Sequence, residues 1–229
     1  MKTKDSAVSP VIAVMLMLVV TIIIAAVVSG FAGGLIGDAK KAPSVAMDVK
    51  IKNGGSFSNS FFEGKVLSIS EPVSTSLLSL VTTWSKNGET KVTKVLPNHN
   101  STNWDRWNAT RNAPWGYGVG ISEMNSGVPN KMPQQFGNYT ISGGTILYAL
   151  PAGQAGGFII PSDPGASGYG VSTPYTYTAD YDSGGDYKDG MQTILGKGWE
   201  VLRTGDVVNV KLIHLPSGST ILDKEVVVS

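Results

Sequence analysis

Residues 8–31 read VSPVIAVMLMLVVTIIIAAVVSGF, and no charged residue occurs between Asp5 and Asp38. A helix rises about 1.5 Å per residue, so about 20 apolar residues cross the hydrocarbon core of a bilayer. This stretch therefore predicts one long hydrophobic helix. Lys2 and Lys4 precede it, which favours a cytoplasmic N-terminus, although two further lysines follow at positions 40 and 41.

The composition of this helix leaves three interpretations open. The first is a cleaved secretory signal, whose apolar run normally covers about 7–15 residues and is shorter than this one. The second is a permanent membrane anchor with a single span. The third is a helix that lies first in the membrane and later in an assembly, where other apolar helices replace the lipid.

Both ends of the helix carry recognisable signals. Ser9 is an acceptable N-cap and Pro10 fits the first turn, while the glycines at positions 30, 33, 34 and 37 are plausible termini. Residues 38–43 form a short polar hinge that ends at Pro43. The sequence thus predicts a helix over residues 8–37, a hinge over 38–43 and a globular domain over 44–229.

Beyond residue 44 the pattern changes to short strands and turns. Val45, Met47, Val49 and Ile51 alternate with polar residues, as in a half-buried strand. The other predicted strands are 65–70, 77–84, 90–96, 139–150, 199–202, 207–215 and 221–228, with Asn87-Gly88 as a hairpin turn. Two glycine- and proline-rich stretches, 97–133 and 151–170, are predicted as long loops. The fold class is α+β, a long N-terminal hydrophobic helix followed by an antiparallel β-sandwich-like or barrel-like domain.

Composition argues against several classes of function. The 18 basic and 17 acidic residues give a net charge of +1, which provides no basic surface for nucleic acid. Cysteine is absent, which excludes disulfides, thiolate metal sites and cysteine nucleophiles. The two histidines, His99 and His214, lie far apart in a turn and a predicted strand. No nucleophile elbow or phosphate-binding loop occurs, so we do not expect an enzyme.

The N-terminal run KDSAVSPVIAV, from Lys4 to Val14, resembles the N-terminus of archaeal type IV pilins. That family has a short basic leader, a small residue, Val-Ser-Pro-Val-Ile and a long apolar helix. A weaker likeness covers Leu202–Asp206 and His214–Gly218. Ile12 stands where bacterial pilins have an acidic residue, which archaeal members also lack. Ala7 stands where many members have glycine.

This resemblance implies how the chain is processed and assembled. A prepilin peptidase removes residues 1–7 by cutting between Ala7 and Val8, and the precursor in the cell membrane becomes a subunit of an archaeal surface filament. The implied partners are copies of the chain itself, the peptidase, an assembly ATPase and a membrane platform protein. The residues expected in the filament core are Val11, Val14, Leu18, Val19, Ile22, Ile23 and Ala26. The alternative is a membrane-anchored extracellular module that binds sugar or another solute.

Three surface features call for both a functional and a structural interpretation. Asn100, Asn108 and Asn138 begin N-glycosylation triplets, and we expect these asparagines to carry glycans.

An aromatic cluster is interpreted as a small core that pins a loop rather than as a sugar-stacking surface; it comprises Trp104, Trp107, Trp115 and Tyr117. An acidic stretch is either a calcium site or a solvated turn, and the turn is favoured because the ligand set is incomplete; its acids are Asp180, Asp182, Asp186 and Asp189. No other cofactor is expected.

The mature protein is predicted to begin at Val8, because the small residue before it, Ala7, separates a basic leader from an uncharged apolar run. Mass spectrometry of the native N-terminus measures this directly. A start at Met1 would support the permanent anchor instead, and a start near Gly33 would support a secretory signal.

Overall fold

The computed structural model of the chain describes residues 10–37, 42–98, 112–118, 120–121, 132–151, 173–176 and 189–229. The chain divides into two compact units, Met1–Lys41 and Ala42–Ser229. The first contains the helix α1 (Pro10–Gly37) and the second contains the strands. The predicted α+β fold class, with an antiparallel β domain after the helix, is confirmed.

The strands of the second unit follow one another with short connections in most of the described chain. In chain order they are β1 (Val45–Asn53), β2 (Ser60–Ile69), β3 (Val73–Ser74), β4 (Leu78–Lys86), β5 (Glu89–Val95), β6 (Trp115–Tyr117), β7 (Thr140–Ile141), β8 (Ile146–Ala149), β9 (Val207–His214) and β10 (Ser219–Val227). A short helix, α2 (Gly190–Leu195), lies between β8 and β9 in the chain.

The strands form two four-stranded sheets and one strand pair. The first sheet has the order β1-β2-β8-β6, the second has the order β10-β9-β4-β5, and β3 pairs with β7. All of these neighbours are antiparallel. One hydrophobic core contains residues of both large sheets, such as Ile51 and Phe62 from the first and Leu80 and Val210 from the second. The sheets therefore share a single apolar interior.

The predicted alternation in β1 is confirmed. Met47, Val49 and Ile51 are buried, whereas Lys50 is exposed. Because successive side chains point to opposite faces of a strand, one face of β1 lines the core and the other carries charge. Five other predicted strands, within β2, β4, β5, β9 and β10, also match observed ones with boundary shifts of a few residues.

The Asn87-Gly88 hairpin between β4 and β5 is also confirmed. Asn87 has φ 54° and Gly88 has φ 80°, which is the geometry of a type I′ turn. Asparagine tolerates a positive φ better than most residues, and glycine has no Cβ to clash there. Lys86 and Glu89 pair across the turn and fix the register of both strands.

The C-terminal residue closes the gap between the two large sheets. The backbone N–H of Ser229 donates to Ile51 O at 3.0 Å, and the N–H of Asn53 donates to Ser229 O at 3.0 Å. These are the bonds of a parallel pair, so the segment from β10 to Ser229 runs in the same direction as β1. Lys224 Nζ lies 3.3 Å from Asp48 Oδ1 along the same seam. The sandwich is thus joined along β1 and β10, as in a partly closed barrel.

Helix α2 is fixed by side chains at its start and at its end. The N–H of Gln192 donates to Asp189 Oδ1 at 2.7 Å, which makes Asp189 the N-cap. Trp84 Nε1 donates to Leu195 O at 2.7 Å, and the Thr82 hydroxyl donates to Ile194 O. Six residues are too few for a helical periodicity to be recognised in the sequence, so α2 was not predicted.

Three predictions for individual segments are wrong. Residues 199–202 form a 3-10 turn, Trp199–Val201, because Gly198 (φ 90°) turns the chain and Leu202 N–H bonds locally to Trp199 O at 3.0 Å. Residues 139–150 are two strands, β7 and β8, since a turn at Ser142–Thr145 interrupts them. Residues 97–133 are not all loop, because they include β6, which pairs with β8.

A charged turn before β9 holds the C-terminal segment. The Arg203 N–H donates to Asp206 Oδ2 at 2.6 Å, and Lys86 Nζ donates to the same oxygen. The backbone of Val228 bonds to Gly205 and Asp206 at 2.9 and 2.8 Å. Partial burial raises the pKa of Asp206, but the bonds from Lys86 and Arg203 outweigh it, so the pKa lies below its usual value.

Replacing Asp206 by Asn is expected to lower the free energy of unfolding by about 1 kcal/mol at pH 7. Because the folded-state pKa is depressed, this contribution is complete above the unfolded pKa of about 3.9 and is lost as the pH falls through the lower folded value. The difference between Asp206→Asn and the parent should therefore shrink below about pH 4. Urea unfolding of the detergent-solubilised chain measures it.

Tryptophan fluorescence suits this measurement, because all five tryptophans follow residue 83 and report on the β domain alone. Glu225→Gln, on the exposed face of β10, is the control and should leave the midpoint unchanged. A loss of stability in Asp206→Asn that stays constant from pH 7 to pH 3 would show that the carboxylate charge is not what holds this turn.

Candidate assembly helix and surface sites

Helix α1 spans 28 residues, with no acidic residue in its first turn and no basic residue in its last. Within it, Ile12–Ser29 is the one segment of the described residues that is long and apolar enough to cross a membrane, judged by length and composition, and none of it is buried. A helix that is apolar on every side, rather than along one stripe, belongs in a membrane or in the interior of an assembly.

The residues predicted for the filament core are exposed side chains of this helix. Their exposed fractions are 67% for Val14, 59% for Leu18, 52% for Val19, 60% for Ile22 and 55% for Ile23, and Ala26 is exposed as well. Val11 belongs to the same helix. Fully burying an aliphatic side chain of this size is worth about 1.5–3 kcal/mol. Exposure of the whole set to water is therefore strongly unfavourable, and α1 needs an apolar environment.

The polar side chain in the middle of α1 does not disturb this surface. Thr21 Oγ1 donates to the backbone oxygen of Leu18, one turn earlier, at 2.9 Å. The hydroxyl is therefore satisfied within the helix and needs no partner from lipid or from another chain.

The structure describes the glycines near the end of α1 but not the predicted cleavage site before its start. The described helix continues through Gly30, Gly33 and Gly34 to Gly37. The cleavage residues Ala7 and Val8 lie outside the described residues, and cleavage stays a prediction.

Of the three glycosylation triplets, the structure describes the one at Asn138. Asn138 and Thr140 are exposed, while Tyr139 between them is buried. The Tyr139 hydroxyl donates to Pro114 O at 3.0 Å, and Thr75 donates to Tyr139 O through both N and Oγ1. Burial, with a smaller effect of Tyr117, raises the pKa of Tyr139 well above its usual value, so the phenol stays neutral. The two residues that an acceptor triplet must offer therefore face solvent on a fixed backbone. Asn100 and Asn108 lie outside the described residues.

Two members of the predicted aromatic cluster belong to the core. Trp115 and Tyr117, on β6, are 3% and 5% exposed and join the hydrophobic core. Tyr117 also packs edge-on against Tyr148, with ring centroids 6.1 Å apart. The structural interpretation is confirmed for this pair. Trp104 and Trp107 lie outside the described residues.

The acidic stretch contributes one described residue, Asp189. Its carboxylate is buried and accepts the N–H of Gln192 as the cap of α2. Asp180, Asp182 and Asp186 lie outside the described residues, and the calcium hypothesis stays a prediction. No cluster of three or more metal-ligating side chains occurs among the residues that are described.

His214 is a packed strand residue, as the sequence indicates. It is 4% exposed at the end of β9, and its Nδ1 lies 2.8 Å from the hydroxyl of Ser217 in the following turn. The ring thereby stabilises the turn between β9 and β10, which gives His214 a structural role.

The two C-terminal stretches with family likeness are the turns on either side of β9. The first, Leu202–Asp206, places Arg203 Nη1 2.6 Å from Glu200 O and its guanidinium 3.7 Å from the centroid of the Tyr175 ring. Tyr175 in turn donates its N–H to Gly55 O at 2.9 Å. The second is the His214–Gly218 turn. The two stretches thus form the turns at opposite ends of β9.

Comparison with known families identifies the N-terminal part of the chain. Residues 6–47 match the model of the archaeal type IV pilin N-terminal domain. This part of the chain is similar to a pilin N-terminal domain. The match runs from Ser6 to Met47 and includes helix α1 and the first residues of β1, and it confirms the resemblance drawn from Lys4–Val14. No curated protein matches the chain at a significant level.

The family that residues 6–47 resemble consists of structural subunits, which agrees with the expectation that the chain is not an enzyme. The matched segment contains α1, the helix that needs an apolar environment. The β domain outside residues 6–47 has no family assignment from these comparisons.

A glycan on Asn138 is predicted, and its presence is tested by two substitutions of the exposed Thr140. Thr140→Val removes the acceptor triplet and should give the unmodified peptide mass, whereas Thr140→Ser keeps the triplet and the glycan. Both changes lie at the surface and should alter the free energy of unfolding by less than about 0.5 kcal/mol. An unmodified Asn138 peptide from the parent protein of the native host would contradict the prediction.

Proposed function

We propose that this chain is a structural subunit of an archaeal type IV pilus-like filament on the cell surface. The observation that carries the proposal is helix α1. It is uncharged, apolar on all sides and exposed throughout Ile12–Ser29, and it lies within the residues matched to the pilin N-terminal domain.

During assembly, α1 passes from one apolar environment, the lipid, to another, the copies of the same helix. In the precursor the helix lies in the membrane, and removal of residues 1–7 takes away Lys2, Lys4 and Asp5. The mature helix then has no charge that holds its start at the cytoplasmic surface. It leaves the lipid when copies of itself replace the lipid contacts, and the small residues Ala25 and Ala26 permit close approach of neighbouring helices.

The β domain forms the outer layer of this filament. It has its own core, formed by both sheets, and needs no chemistry for the role. The partners implied by the pilin resemblance are a prepilin peptidase, an assembly ATPase and a membrane platform protein. Before assembly the chain is an integral membrane protein, and afterwards it is extracellular.

Val19→Asp and Ile23→Asp are expected to abolish filaments while the β domain stays folded. A charge at the centre of a membrane helix costs about 2.5–3.5 kcal/mol on insertion scales, and it would be unpaired in a core of apolar helices. Negative-stain images of filaments sheared from cells measure assembly. Tryptophan fluorescence of the membrane fraction measures the amount and the folding of the subunit.

Two matched controls separate charge from position. Val19→Leu keeps the helix apolar, and Val92→Asp places the same charge on an exposed residue of β5; both should assemble. Normal filaments from Val19→Asp would contradict a core of α1 helices. A parent protein that forms no filaments and stays in the membrane fraction as a small species would indicate an anchored binding module instead.

A further inference from the structure

The outer face of the first sheet carries two aromatic side chains next to each other. Phe62 of β2 is buried in the core, so its neighbours Phe61 and Glu63 lie on the opposite face of the strand. Tyr148 of β8 pairs with Glu63 and lies on the same face. The rings of Phe61 and Tyr148 are stacked, with centroids 6.0 Å apart and planes inclined by 26°. We call these two residues the aromatic pair.

The exposure of the aromatic pair sets it apart from the other aromatic residues of the β domain. Among those that the structure describes, all are buried except Phe61, Tyr148 and Tyr175. The Tyr175 ring is covered on one side by the guanidinium of Arg203, which lies 3.7 Å from its centroid. In the described part of the β domain, the aromatic pair is therefore the one place where two partly exposed rings together offer a flat apolar surface.

Tyr148 adds a hydroxyl to this surface. Its ring stacks on Phe61 and meets Tyr117 edge-on, with ring centroids 6.1 Å apart, which fixes its orientation. Within the described chain, neither of these neighbours nor Glu63 makes a hydrogen bond to the Tyr148 hydroxyl. Burial, and to a smaller extent Glu63, raises the pKa of Tyr148. The phenol therefore stays neutral, and it can both donate a hydrogen bond to a ligand and accept one.

Charged groups of both signs surround the aromatic pair. Lys50 pairs with Glu63 in the sheet, and its Nζ lies 3.7 Å from Glu63 Oε1 and 3.8 Å from Asp48 Oδ2. The charged residues of this face on β1 and β2 are Asp48, Lys50, Lys52, Glu63 and Lys65. Because acids and lysines are interspersed, the face differs from the continuous basic groove that binds a phosphate backbone. The Glu63 carboxylate can still accept hydrogen bonds from hydroxyl groups.

A flat apolar surface with hydrogen-bonding groups at its edge is complementary to a pyranose ring. The C–H groups on one side of such a sugar are apolar and pack on aromatic rings. Its hydroxyl groups need hydrogen-bond partners when they leave water. An acidic sugar would meet the carboxylate of Glu63, so the fit is to a neutral one.

We propose that the aromatic pair binds a neutral saccharide. The sugar ring stacks on Phe61 and Tyr148, and its hydroxyl groups bond to the Tyr148 hydroxyl and to the Glu63 carboxylate. This binding uses the β domain alone. It therefore stands or falls independently of filament formation by α1.

Binding to a panel of neutral oligosaccharides tests the proposal. The full chain is purified in a polyoxyethylene detergent, because glucoside and maltoside detergents would themselves occupy the site. It is then applied to immobilised oligosaccharides of gluco, galacto and manno configuration, and titration calorimetry measures the affinity for the best binder. We expect binding to at least one configuration. Absence of binding to every member of the panel would overturn the proposal.

Substitutions in the aromatic pair distinguish stacking from general adhesion of apolar surfaces. Phe61→Leu and Tyr148→Leu each remove one ring and should weaken binding about tenfold. Phe61→Tyr keeps the ring, and its affinity should stay within about threefold of the parent. Tyr148→Phe removes only the hydroxyl and should give a loss between these two. The matched control is Leu67→Ala, a 60% exposed apolar residue of the same strand, which should not change the affinity.

The null interpretation of the aromatic pair is a cross-strand contact that only stabilises the sheet. In that case the leucine variants would lower the urea midpoint, followed by tryptophan fluorescence, and leave the affinity for the saccharide unchanged. Equal affinities of Phe61→Leu and the parent would thus overturn the proposal. So would binding of a single-stranded oligothymidylate in place of the saccharides, because it would assign the rings to base stacking.

Discussion

The apolar surface of α1 has to be covered, and the other features of the chain are arranged around this constraint. Water is an unfavourable environment for a helix with 18 consecutive exposed residues of this composition. Lipid covers it without any specific contact, and copies of the same helix cover it with close packing. Because α1 has no charge at either end, no ion pair would have to be broken in the assembly proposed above. The difference between the two environments is therefore a difference in packing.

Unlike α1, the β domain does not need an apolar environment, because it folds in water around its own core. Its two sheets are joined by contacts between segments far apart in the chain, above all the bonds of Ser229 to β1 and of Val228 to the Gly205-Asp206 turn. Asn53 adds to this seam, because its Nδ2 donates to Leu202 O at 2.8 Å from a buried position. The hydrogen bonds that join the two sheets thus come from the C-terminal segment and from turns.

Local patterns were sufficient for the parts of the fold that local chemistry determines. The run from Val8 to Phe31 predicts α1, the alternation of Val45–Ile51 predicts β1, and Asn87-Gly88 predicts its hairpin. The errors arose where long-range contacts decide. Residues 199–202 have the composition of a strand, but they form a 3-10 turn after Gly198 in which the side chain of Trp199 is buried in the core. Helix α2 depends on the bonds from Thr82 and Trp84, which no window of neighbouring residues contains. Among the candidate sites, the apolar helix α1 was predictable from composition, and its likeness to pilins came from the motif of Lys4–Val14.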